Sequence, residues 1–367
     1  MVLVGSGHAH LFSIARAGTF ASRGHHLTLV APGPFHYSGM GPGLLSGEYR
    51  ADEGSIDTGA LVQARGGTYV RGSVRRVDAA RRRLVLDDGS IVPFDLLSLN
   101  VGSAVPALPG RHDFVVPAKP VEGLARLRER LLAAPPGTAP LHRVVVVGGG
   151  AAGCELAGAA AALRRRGGRI GEVSLVTAGP RLLDSHPPRA GRLAASALAE
   201  QGVRLVTGVR IAGSAPGVLR PARGEPLPAD VVIAATGVAP PPLLRESGLA
   251  TAEDGALVVD ECLRSPQDPA IFGGGDAVAP GGRPLARVGV HAVRQAPVLF
   301  HNLLAAAEGR PLRPYRPQRR YLLILNLGDG TGLLLRGRWA VRARWARVLK
   351  DRIDRRFMSR SRQARGP

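Results

Sequence analysis

The chain has 367 residues, 45% of them apolar, enough for two domains that each hold a core. No uncharged apolar run reaches the roughly 18 residues of a membrane-spanning helix, and no charged leader or cleavage site precedes the apolar opening, so neither a span nor a signal peptide is expected. The formal charge of +21 is almost wholly arginine, with lysine only at Lys119 and Lys350; such overall basicity argues little for nucleic acid, and no nucleic-acid partner is expected.

In chain order, Val2-Leu3-Val4 reads as a first strand, somewhat shorter than usual. It runs into Gly5-Ser6-Gly7-His8-Ala9-His10, a helical stretch to about Thr19, and a second strand over Leu27 to Ala31. Strand, glycine turn, helix, strand is the context that a dinucleotide fingerprint requires. Gly5 suits the tight turn, and Gly7 lets backbone amides approach a pyrophosphate. The third glycine is replaced by His10, so this unit alone reads equally as a plain turn. His8 and His10 stand two apart and share no helix face, and no carboxylate or cysteine is near them in sequence; no metal site is expected.

The second unit is fuller. Arg143 to Val147 is a buried-strand run, followed by Gly148-Gly149-Gly150-Ala151-Ala152-Gly153, an alanine-rich helix from Cys154 to Arg166, and a strand from Glu172 to Thr177. All three fingerprint glycines are present as Gly148, Gly150 and Gly153. Neither unit ends its second strand with the acid that binds a ribose 2′-hydroxyl: the first has Ala31-Pro32 and the second Thr177-Ala178. NADPH is therefore not repelled, and Arg181 is near enough in sequence to meet a 2′-phosphate, although a solvated loop arginine reads the same. NADH and NADPH both stay open. Cys154 and Cys262 are too far apart for a zinc site, a disulfide framework or a CxxxxC redox pair, which points to a reducing, cytoplasmic setting. Cys154 itself reads as a small packing residue at the helix start.

Two later segments complete a pattern: Asp230 to Gly237, reading Asp-Val-Val-Ile-Ala-Ala-Thr-Gly, and Ile271-Phe272-Gly273-Gly274-Gly275-Asp276-Ala277. With the two glycine turns, they make the chain resemble the two-dinucleotide-binding flavoprotein oxidoreductases, and within these the type II NADH dehydrogenase group. More narrowly, Gly-His-Ala-His at 7–10, Tyr37-Ser38-Gly39-Met40, Ala118-Lys119-Pro120, Ala292-Val293-Arg294-Gln295 and the run from Leu349 to Met358 are similar to NADH-dehydrogenase-like proteins found with, or fused to, selenide, water dikinase.

The resemblance implies an α/β fold of two Rossmann-like domains: an FAD domain over 1–116 and 257–313, and an inserted NAD(P)H domain over 117–256. It implies cofactor contacts at Gly5, Gly7, His8, His10, Tyr37, Gly39, Gly148, Gly150, Gly153, Thr236, Gly237, Gly275 and Asp276. Near the reacting groups it places Glu155, Lys119 and Gln295, with Arg294 beside Gln295 on the acceptor side. Asp276 also reads as a helix cap, Glu155 as an acid suited to a helix dipole, and Lys119 as a surface linker lysine. The implied reaction passes hydride from NADH or NADPH to N5 of FAD, then electrons to an acceptor on the other flavin face. A quinone is the first expectation; a soluble reductase of a selenium or sulfur species or of a small protein is the second. From another class, the chain reads as a flavin-bound interaction protein with a recruiting tail.

Residues 314–367 form a C-terminal extension with its own character. Tyr321 to Leu327 and Thr331 to Leu335 read as a hairpin around Gly328-Asp329-Gly330. From about Trp339 the period turns helical, with Val341, Trp345, Val348, Leu349, Ile353 and Phe357 on one stripe and arginines around it. That stripe over 339–358 suits either an interfacial membrane helix, at the inner face of the cell membrane, or docking on the FAD domain. Residues from Arg360 onward are expected to fray.

Overall fold

The computed structural model describes residues 1–110, 113–133, 142–318 and 320–363. Two five-stranded, all-parallel sheets organise it. The first runs in the order Ile271–Gly273, Leu97–Leu99, Val2–Val4, Thr28–Ala31, Thr68–Arg71. Val2, Leu3 and Val4 are buried on both faces, which is why this strand is an unbroken apolar run rather than an alternating one. Its neighbours are Thr28–Ala31 on one side and Leu97–Leu99 on the other, so the chain leaves Val4 where the strand order reverses. There an open α/β sheet leaves a crevice at its strand ends. The helix expected to Thr19 is in two pieces, His8–Ile14 and Ala17–Ala21.

The second sheet runs Val115–Pro117, Val231–Ala234, His142–Val147, Ile170–Val176, Val203–Val206. Its central helix, Ala151–Arg165, is built from alanine and glycine because both its faces are covered. Val115–Pro117 already belongs to this sheet. The chain rejoins the first core at Leu244 and Leu249, earlier than the residue 257 expected from sequence. In that stretch Ser247 also accepts from the Val77 amide.

The C-terminal extension departs most from expectation. Its sheet has three strands, Leu323–Asn326, Gly332–Arg336 and Trp339–Ala343, and the helix starts only at Arg344, running to Gln363. Gly337, at φ 58, makes the turn into the third strand, where Trp339 faces out and Ala340 in. Period-2 alternation wins over the helical reading there. The fraying expected from Arg360 is not seen as far as Gln363, and 364–367 lie outside the described residues.

The expected apolar stripe also divides. Ala346, Lys350, Asp354 and Met358, with Arg347 and Phe357, face the body, whereas Trp345, Val348 and Ile353 face out at 55, 55 and 44% exposure. The inward charges decide this, because each finds a partner. Arg347 pairs with Glu48, Lys350 with Asp354, and Tyr37 and Tyr49 donate to Asp354 and Asp351 at 2.9 and 2.7 Å.

Two glycines lock the extension to the second unit. A Cβ at Gly158 would sit 2.2 Å from the Leu327 carbonyl oxygen, and one at Gly328 would sit 2.1 Å from the Gly158 oxygen. Around them Gln201 and Arg165 donate to the carbonyls of Leu327 and Gly328. Gly158→Ala tests this lock. Alanine gains about 1 kcal/mol of helix propensity, but overpacking against backbone costs about 1–3 kcal/mol. A lower melting temperature and faster proteolytic release of the C-terminal segment are expected; a raised Tm with unchanged cleavage would contradict the contact.

Candidate functional site

Two cavities open at the strand ends. The first, about 540 Å³, is lined by Gly5, Gly7, His8, Asn100, Ser103, Lys119, Gly275 and Asp276, among others. Gly5 must be glycine: it stands at φ +86, and a Cβ there would lie 2.4 Å from the Asn100 carbonyl oxygen. Gly7 is pressed against the Asn100 amide at 2.7 Å in the same sense. Asn100 Nδ2 and His8 Nε2 are buried in this wall with no hydrogen-bond partner among the described residues. Unsatisfied polar atoms beside a glycine turn, in a cavity of cofactor size, fit the phosphate and ribityl parts of FAD.

Asp276 lies at the far side of this cavity. Its Oδ2 accepts from Ser103 Oγ at 2.6 Å and from Lys119 Nζ at 3.0 Å. Burial works against its charge, but Lys119 and the Ser103 hydrogen bond hold its carboxyl below the usual range. Lys119 is therefore no surface linker: it is half of an ion pair in the cavity wall. Burial pushes His8 down to about 4, Asp276 and Lys119 acting in opposite senses, which leaves the ring neutral near pH 7.

The second cavity, about 730 Å³, is lined by Gly148, Gly149, Gly150, Glu155, Thr177, Arg210, Thr236 and Gly237, among others. Gly148, at φ +122, would place a Cβ 2.2 Å from the Ala235 carbonyl oxygen, whereas nothing lies within 4 Å of one at Gly150. The first glycine makes the turn and the second leaves room for a ligand. Gly153 lines neither cavity; a Cβ there would meet the Gly148 oxygen at 1.7 Å, so this residue seats the helix against the strand. The two cavities meet, for Ser38, Lys119 and Gly289 line both.

Glu155 faces the second cavity from the helix start, where its Oε1 accepts from the Asn326 amide at 2.7 Å. Burial pushes its carboxyl up to about 6, against the pull of Lys350. Lys350 reaches in from the C-terminal helix, donating at 2.9 Å both to the Gly39 carbonyl and to Asp354. Gly39 lines the second cavity, so the extension braces the loop between the two clefts.

Four expected contacts are placed otherwise. His10 is fully buried beneath the glycine turn, its ring nitrogens 2.7 Å from the Gly5 oxygen and 2.8 Å from Ser98 Oγ, and lines neither cavity. Tyr37 turns its hydroxyl to Asp354 and packs on Phe357, again behind the cavity walls. Gln295 is buried and accepts from the Gly275 amide at 2.7 Å, so it supports the turn before Asp276 without facing either cavity. Arg181 donates to the carbonyls of Leu183, Asp184 and His186 and pairs with Asp184 at 3.3 Å, which leaves it no free edge for a nucleotide. The packing role read for Cys154 agrees with its burial, which pushes the thiol up to about 12.

Sequence reading missed Asn100 and Ser103. The available signal was the apolar strand ending in Asn100-Val101-Gly102-Ser103, a polar residue and a glycine turn at a parallel strand's carboxyl end. Lys350 was seen only as part of a motif, because nothing in a helix's own sequence says which residue will be met by a partner.

Residues 1–296 match the sequence profile of the pyridine nucleotide-disulphide oxidoreductases. An NADH dehydrogenase-like protein of Mycobacterium tuberculosis is 32% identical over 296 residues, covering 76% of this chain and 72% of its own length. A demethylphylloquinone reductase of Synechocystis is 26% identical over 368 residues, covering 93% and 89%. Among solved structures, NDH2 of Plasmodium falciparum in complex with NADH superposes with a TM-score of 0.84 at 14% identity, over 99% of this chain and 96% of that one. Two parallel sheets, two glycine-turn cavities that meet, and this sequence match lead to one assignment: the chain belongs to the pyridine nucleotide-disulphide oxidoreductase family, as an NAD(P)H-dependent flavoprotein oxidoreductase.

Proposed function

We propose that this oxidoreductase passes its electrons to a quinone at a membrane surface. The observation that carries the reading is the outward face of the extension. Trp345, Val348 and Ile353 are exposed along the helix Arg344–Gln363, interleaved with the exposed arginines Arg344, Arg352 and Arg356, and Trp339 on the preceding strand is exposed as well. Aromatic and aliphatic side chains ringed by cations suit an anionic lipid interface, where each nearby basic residue adds about 1 kcal/mol of attraction. Among the described residues no helix is long and apolar enough to cross a membrane, so contact would be peripheral. The likeness to a demethylphylloquinone reductase over nearly the whole chain supports the same acceptor class.

Within the site, Gly5, Gly7, Asn100 and Asp276 would hold FAD, and Gly148, Gly150, Thr236 and Gly237 the nicotinamide dinucleotide. FAD, when bound, supplies the capacity to take a hydride and release electrons onward. Lys119 sets a positive charge where the two cavities meet, balanced by Asp276. Glu155, with Oε1 occupied by the Asn326 amide, is placed to take up and release a proton on Oε2 at a pH near 6. A quinone needs two protons on reduction, and a carboxyl raised to about 6 is protonated below that pH and empty above it.

Quinone turnover should therefore fall as pH rises through about 6, and Glu155→Gln should remove that limb while slowing turnover by roughly 10²-fold. An unchanged profile in the variant would remove Glu155 from proton handling. Flotation with anionic liposomes tests the surface. Trp345→Ser with Ile353→Ser should weaken binding by about tenfold or more, from the lost burial of two large apolar side chains, and added salt should weaken it further. If the native chain stays in the soluble fraction, and reduced enzyme is reoxidised faster by selenite, polysulfide or oxygen than by quinones, the acceptor is not a quinone.

A further inference from the structure

The strand Ile170–Val176 ends at the wall of the second cavity, where Val176, Thr177 and Ala178 line it. In a βαβ dinucleotide unit this strand end faces the adenosine ribose, and an acid there binds the 2′-hydroxyl and repels a 2′-phosphate. Here the strand is followed by Thr177 and Ala178, both in the cavity wall. Among the residues lining the cavity the one carboxylate is Glu155, on the helix, bonded to the Asn326 amide of the C-terminal sheet. Asp184 comes near Gly179, but it is paired with Arg181 at 3.3 Å.

One cation stands in this part of the wall. Arg210 lines the cavity together with Val209 and Ile211. Its segment is laced to the strand end, since the Val209 amide donates to the Thr177 carbonyl and the Gly208 amide to the Gly179 carbonyl, each at 2.9 Å. The Thr177 amide in turn donates to Val206 at 2.9 Å. The Arg210 guanidinium is exposed and has no hydrogen-bond or ion-pair partner among the described residues. It thus differs from Arg181, whose donors are spent on three carbonyls and a carboxylate. Thr177 Oγ1, which accepts from the Gly179 amide at 3.3 Å, keeps its hydroxyl hydrogen free to donate.

We infer that Arg210, with Thr177, receives the 2′-phosphate of NADPH, so that this chain prefers NADPH to NADH. The inference rests on the reading of the second cavity as the nicotinamide dinucleotide site. Guanidinium forks match phosphate oxygens two at a time, which a hydroxyl of NADH cannot exploit.

Two measurements on the FAD-loaded protein test it. In anaerobic stopped-flow reduction, the ratio of kcat/KM for NADPH over NADH should exceed about tenfold. Arg210→Ala should lower that ratio about tenfold, mainly through KM for NADPH, and Thr177→Asp should reverse it. By calorimetry, adenosine 2′,5′-bisphosphate should bind at least about tenfold more tightly than AMP, an advantage that Arg210→Ala removes. If NADH reduces the flavin as well as NADPH does, or if Arg210→Ala leaves both ratios unchanged, the inference is overturned while the dinucleotide site stands. If neither nucleotide bleaches the flavin and neither mononucleotide binds, the reading of the cavity falls, and this inference with it.

Discussion

Both clefts depend on backbone meeting backbone. At Gly5 the turn passes so close to the Asn100 carbonyl, and at Gly148 so close to the Ala235 carbonyl, that no side chain fits between them. Each approach joins the end of one central strand to the end of its neighbour, and so sets the crevice at the strand-order reversal. Five residues later, helix atoms and strand atoms are already locked in place: by His10 in the first unit, and by Gly153 in the second. The same geometric requirement is therefore met by different chemistry. Where the second unit uses the absence of a side chain, the first uses an imidazole bonded at both nitrogens.

The C-terminal extension braces both units around the place where the two clefts meet. Its sheet packs glycine to glycine on the second unit, while its helix sends Arg347, Lys350 and Asp354 to Glu48, Gly39 and Tyr37 of the first. Those charges are buried but paired, which is the condition under which burial is tolerated. One consequence is the direction of the helix: with Arg347, Lys350 and Asp354 held inward beside Phe357 and Met358, Trp345, Val348 and Ile353 are left to the solvent. An extension that merely covered the FAD-side core would show the opposite arrangement.

Much of this was legible in the residues. The two glycine turns, their strands and the Gly275-Asp276 segment are local patterns, and each lies where its spacing put it. What sequence could not supply was partnership across the chain. Lys119 reads first as a linker residue in the sequence, and only the fold brings Asp276, far along the chain, to 3.0 Å from its amine. His10, Tyr37 and Gln295 were placed in the family's contact motifs, yet here an imidazole nitrogen, the phenol hydroxyl and the Gln295 Oε1 are taken by Ser98, Asp354 and the Gly275 amide. Trp339 was read as helical because apolar spacing in a short window does not separate a strand's alternation from a helix's stripe.

The central claim is that two glycine-turned cavities hold a flavin and a nicotinamide dinucleotide close enough to exchange a hydride. Gly150→Val separates them, because nothing in the protein lies within 4 Å of a Cβ there, so the side chain takes only space left for a ligand in the second cavity. The purified native chain should be yellow and should be bleached by NADPH or NADH without oxygen. The variant should keep its FAD and its fold but be bleached at least about 10²-fold more slowly, as misplacement of a reactant requires. A colourless native chain that FAD cannot reconstitute, or a variant bleached as fast as the native, would contradict it.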